Sequence, residues 1–101
     1  MTKTDKALQI LRFAYRARKI TLGMTATRAG LKKRKVKAVL LASDLSPHAK
    51  NKVASEAAGQ GLPVLGIASK AQLGELFGRD EVGIVGILDA QFARAMREIL
   101  S

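Results

Sequence analysis

Three short apolar runs, Lys37–Ala42, Leu62–Ile67 and Gly83–Leu88, alternate with segments whose apolar residues recur every three or four positions. A run of about six apolar residues bounded by turn chemistry reads as a strand covered on both faces, and the intervening segments read as amphipathic helices. Asp5 can cap a helix carrying Leu8, Leu11 and Tyr15, with Ile10 and Ala14 beside them. A short extended piece, Ile20–Leu22, leads through Gly23 to a second helix predicted over Met24–Arg34, which Gly30 weakens by about 1 kcal/mol relative to alanine. Ser46-Pro47 starts a third helix running to Ala58, which Gly59 and Gly61 stop. Ser69 caps a fourth, Lys70–Phe77, closed by Gly78, and Asp89 caps a last one over Ala90–Leu100. Helices alternating with buried strands predict an α/β fold, a three-layer α/β/α sandwich with a small mixed sheet and helices on both faces. With no linker or repeat in 101 residues, the chain reads as a single domain over residues 1–101.

The residue inventory narrows the chemistry. There is no cysteine, so disulfides, thiolate metal sites and thiol catalysis are excluded together. His48 is the only histidine, follows Pro47 in a first helical turn, and has no second histidine to complete a metal set. Asp80 and Glu81 are adjacent and point apart on most backbones, which does not make a catalytic carboxylate pair. Gly59-Gln60-Gly61 follows a helix where a dinucleotide loop needs a strand, and Gly74 and Gly78 lack the lysine-threonine pair of a phosphate loop. The expectation is a protein that is not an enzyme and uses no cofactor and no metal. A chain start of MTKTDKAL without an apolar run, and no segment of membrane-spanning length, predict a cytoplasmic chain with no membrane partner. A monomer is expected.

Charge is distributed unevenly. Residues 1–52 hold fourteen Lys and Arg against Asp5 and Asp44, whereas residues 53–101 carry a small net negative charge. Between Arg12 and Lys37 there is no acid at all, against Arg12, Arg16, Arg18, Lys19, Arg28, Lys32, Lys33, Arg34, Lys35 and Lys37. Self-repulsion of this kind is relieved by a polyanion, and nucleic acid is the commonest one. Gly23 stands at a strand-to-helix junction, where unpaired N–H groups and the helix dipole attract anions. Gly23, Met24 and Thr25 at that helix start, with Arg28, Lys32 and Lys33 further along it, are the candidate phosphate contacts. Arg28 and Lys32 are four apart, a spacing that places two cations on one face. The loop before the third apolar run, Arg79, Asp80, Glu81 and Val82, is expected at one end of the sheet, suited to contact an unstacked base. Two readings stand side by side: binding of structured RNA, ribosomal RNA included, or docking of the basic face on an acidic protein or on the ribosome. The expected geometry for the first is one continuous cationic surface around the glycine-started helix.

Four stretches, FAYRARKITLG (Phe13–Gly23), VKAVLLASDLSP (Val36–Pro47), LPVLGIASKAQLGELFG (Leu62–Gly78) and VGIVGILDAQFARAM (Val82–Met96), together resemble the kink-turn-binding ribosomal-protein superfamily of the L-seven-Ae type, and especially its small bacterial members. The resemblance covers nearly the whole chain. It implies a three-layer α/β/α fold and binding to structured RNA, often a kinked helix with tandem sheared G·A pairs. It implies further that RNA is read by the helix after Gly23 and by the loop Arg79–Val82. Members of that superfamily usually present an Asn-Glu pair and a lysine on this helix, whereas the matching positions here hold Thr25, Ala26 and Ala29.

Overall fold

A computed structural model describes residues 2–101. The elements run α1 (Lys3–Arg16), β1 (Ile20–Leu22), α2 (Met24–Lys32), β2 (Ala38–Leu41), α3 (Pro47–Ala58), β3 (Val64–Gly66), α4 (Lys70–Phe77), β4 (Ile84–Ile87) and α5 (Ala90–Leu100). The four strands form one mixed sheet in the order β1-β4-β2-β3, with β4 antiparallel to both β1 and β2, and β2 parallel to β3. The two central strands are buried at every position, as a near-continuous apolar run requires, while the three-residue edge strands are only partly covered.

Side-chain alternation along the central strands divides the core in two. Ala38 and Leu40 of β2, with Val85 and Ile87 of β4, meet Leu11 of α1, Leu73 and Phe77 of α4, and Met96 of α5. Val39, Leu41 and Ile84 point the other way, onto Leu31 of α2 and Val53 and Ala57 of α3. The result is the predicted α/β/α sandwich, with three helices on one face and two on the other.

Local corrections follow from capping. The N-cap of α1 is Thr2, and Asp5 sits three residues inside it, accepting back from the Thr2 N–H at 3.2 Å in a capping box. α2 ends at Lys32 and not at Arg34, because Arg34 turns into the left-handed region at φ 55°. The strand predicted over Leu62–Ile67 contracts to Val64–Gly66; Pro63 before it has no N–H but lends its carbonyl to the Val39 N–H at 3.0 Å. Gly30, a weak point in isolation, is a packing requirement: a Cβ there would stand 2.9 Å from Val36 Cγ2.

Candidate nucleic-acid interface

The start of α2 is set by β1. Leu22 pairs with Val85, and the next residue, Gly23, donates its N–H to the Ile84 carbonyl at 2.8 Å. The chain then leaves the sheet through Gly23 at φ 89°, a conformation open to glycine and strained for other residues. No side chain caps this helix, and nothing lies within 4 Å of where a Gly23 Cβ would be. The N–H groups of Met24, Thr25 and Ala26 therefore have no partner within the helix. Thr25 and Ala26 are exposed and Met24 and Gly23 half-buried. α2 is held close to the sheet by Thr27, fully buried, whose hydroxyl shares a 2.9 Å hydrogen bond with that of Thr21, over Gly86 of β4.

The loop from Gly78 to Gly83 reaches the same end of the sheet, because it feeds Ile84, the residue that faces both Gly23 and Leu41. It is strapped to α4 at both ends: Arg79 N–H donates to the Gly74 carbonyl at 2.8 Å and Val82 N–H to the Lys70 carbonyl at 3.1 Å. Gly74 makes this possible, since a Cβ on it would lie 2.6 Å from the Asp80 carbonyl oxygen. Asp44 joins the cluster by accepting the Lys70 N–H at 2.8 Å, a contact across 26 positions that no local pattern signals. Arg79, Asp80 and Glu81 extend into solvent. Val82 does not: its side chain is 4% exposed and belongs to the core, so the expected base contact is closed to it. Its apolar character serves the sheet.

The cations fall elsewhere. Arg28 Nε donates to Glu56 Oε1 of α3 at 2.7 Å, the one ion pair among the described residues, with both side chains about one-third exposed. It is clamped against α3 and does not join Lys32 around a phosphate at the helix start. Lys32 and Lys33 are exposed but lie at the far end of α2, roughly 13 Å from Gly23 by helical rise. Arg18, Lys19, Arg34, Lys35 and Lys37 lie before β1 and β2, at the sheet end opposite Gly23. The single cationic surface expected around Gly23 is thus divided, because each helix and strand crosses the sandwich and carries neighbouring charges to opposite ends. The exposed face of α2 itself runs Thr25, Ala26, Ala29, Lys32 and Lys33, small side chains first and cations last.

Among the described residues no group of three or more His, Cys, Asp or Glu could hold a metal ion. No helix among them is long and apolar enough to cross a membrane.

The element order and mixed sheet, with helices on both faces, define a three-layer α/β/α protein. The chain belongs to the ribosomal protein L7Ae/L30e/S12e/Gadd45 family, whose model matches residues 5–97. It is 30% identical over 96 residues to the RNA-binding protein YlxQ of Enterococcus faecium, an alignment spanning 95% of this chain and 92% of that one. A solved structure of a Bacillus halodurans protein of unknown function superposes with a TM-score of 0.88 at 29% identity, covering 93% of this chain and 95% of that one.

Proposed function

We propose that this chain is a non-enzymatic binder of structured RNA, ribosomal or kink-turn-like, that works through the exposed face of α2 and the neighbouring loop Arg79–Glu81. The observation that carries this reading is the start of α2, which no side chain caps and whose first three N–H groups have no partner within the helix, at the same sheet end as a loop hydrogen-bonded to α4. The name of the YlxQ relative, an RNA-binding protein, supports the same partner class. Phosphate oxygens would accept from Met24, Thr25 and Ala26 N–H. The small side chains of Ala26 and Ala29 let a backbone approach the helix closely, and Lys32 and Lys33 neutralise phosphates at its far end. Arg79 offers a guanidinium plane on which an unstacked base can lie. Thr25, Ala26 and Ala29 supply no carboxylate or amide for guanine edges, so positioning by phosphate contacts outweighs base readout.

Ala29 provides a test with two signs. It is exposed in mid-helix, so lysine or glutamate is accommodated there without disturbing the fold. Ala29→Lys is expected to tighten binding to a kink-turn hairpin RNA, and Ala29→Glu to weaken it by about tenfold, equivalent to ~1.4 kcal/mol. Filter-binding titrations in which both variants match the parent protein would remove α2 as the contact surface.

A further inference from the structure

We infer that the end of the sandwich opposite Gly23 is a second phosphate-gripping face, which holds another stretch of RNA backbone. The identity of the ligand rests on the RNA-binding reading above; the location rests on the sheet register. Lys19 accepts at its carbonyl from the Leu88 N–H at 2.7 Å, and Lys37 donates its N–H to the Ile87 carbonyl at 2.6 Å, so the two lysines bracket the end of β4. Arg18 precedes the first, and Arg34 and Lys35 lead to the second. Arg94 and Arg97 of α5 line a surface hollow together with Lys37 and Pro63. All seven cations are exposed, and among the described residues none is in an ion pair. Of the acids on the elements that meet here, Asp89 Oδ1 accepts the N–H groups of Gln91 and Phe92 and Glu56 holds Arg28, while Glu98 stands exposed on α5 beside Arg97, leaving the cations in excess. Four strands span roughly 14 Å, so these charges share one end face of the sheet.

The backbone adds an independent sign. Arg18 at φ 58° and Arg34 at φ 55° are the only non-glycine residues with positive φ among those described. Each closes a helix in the same way. Arg18 N–H donates to the Tyr15 carbonyl at 3.0 Å and Lys19 N–H to that of Ala14 at 2.9 Å. Arg34 N–H donates to the Leu31 carbonyl at 3.0 Å and Lys35 N–H to that of Gly30 at 3.0 Å. Glycine is the residue that fits this turn without strain, and the chain uses it where α4 ends, at Gly78, and where α3 ends, at Gly61, whose N–H donates to the Ala58 carbonyl at 3.0 Å while Leu62 N–H donates to that of Ala57 at 3.1 Å. Arginine stands in the strained position at two of the three helix ends that open on this face, those of α1 and α2. Stabilisation of the helix dipole does not explain the choice, because Lys19 and Lys35 next door already supply a cation. A guanidinium that can bind phosphate with two parallel hydrogen bonds does.

The strain makes the test clean, since Arg18→Gly with Arg34→Gly removes two cations while relieving the backbone. This double variant is expected to melt at the same temperature as the parent or higher. It should bind both a kink-turn hairpin and a plain RNA duplex about tenfold more weakly at low salt, with a log-log salt slope shallower by about 2. Ala29→Glu is titrated in parallel. A double variant with parental affinity and slope, beside a weakened Ala29→Glu, overturns this face and leaves the α2 reading standing. A weakened double variant beside an unchanged Ala29→Glu supports this face and overturns α2. A parent protein that binds neither RNA but captures polyglutamate of matched charge overturns RNA as the ligand of both faces.

Discussion

Gly74 shows how far a single position can reach. In sequence it is a weak spot in a short helix, yet in the fold the Asp80 and Arg79 carbonyl oxygens would lie 2.6 and 2.7 Å from its Cβ. Those atoms are backbone and cannot rotate away, so the loop itself must shift to admit a methyl group. Gly74→Ala is expected to destabilise the domain by about 1–3 kcal/mol despite its better helix propensity, as overpacking does. Chemical denaturation measures that loss, and an alanine variant as stable as the parent would show that the strap is loose. Gly30 faces a milder case, because its obstruction is a side-chain methyl of Val36.

At the scale of elements, α2 and α3 are joined by Arg28 and Glu56, and the arginine that the charge pattern assigned to RNA is engaged within the protein. Partly exposed pairs of this kind contribute about 0.5–1 kcal/mol. A double-mutant cycle on Arg28→Ala and Glu56→Ala should return a coupling in that range, with RNA affinity changing far less for Arg28→Ala than for Lys32→Ala with Lys33→Ala. Equal losses of affinity would put Arg28 back among the RNA contacts. The loop Arg79–Glu81 depends on α4 in the same sense: the Ser69–Gln72 capping box starts that helix, Gly78 ends it, and the strap hydrogen bonds from Arg79 and Val82 land on it.

For the whole molecule the governing quantity is the net charge of +10, and a large share of the exposed cations are gathered on one end face. Like charges confined to such a face repel in the folded state more than in an expanded chain. Added salt screens them over a Debye length of about 10 Å at 0.1 M. The melting temperature is therefore expected to rise from low to moderate sodium chloride, and to rise further with a structured RNA, which stabilises only the form it binds. A melting temperature that falls across that salt series would mean that attractive pairs outweigh the repulsion.

The sequence by itself determined the order of helices and strands, the two-sided burial of β2 and β4, and the identity of most caps, because period, propensity and turn chemistry act between near neighbours in the chain. Its boundary errors, Thr2 for Asp5 and Lys32 for Arg34, lie within one turn of a helix end, the first turn of α1 and the last of α2. What only the tertiary structure decided was which distant residues share an end of the sheet. That placed Gly23 beside the 79–83 loop, buried Val82, turned Arg28 toward Glu56, and carried Arg18, Lys19, Arg34, Lys35 and Lys37 to the opposite end. The physical reason is that strand register and helix crossing are settled by packing over long separations, whereas charge counted along a chain carries no information about the direction in which each element runs.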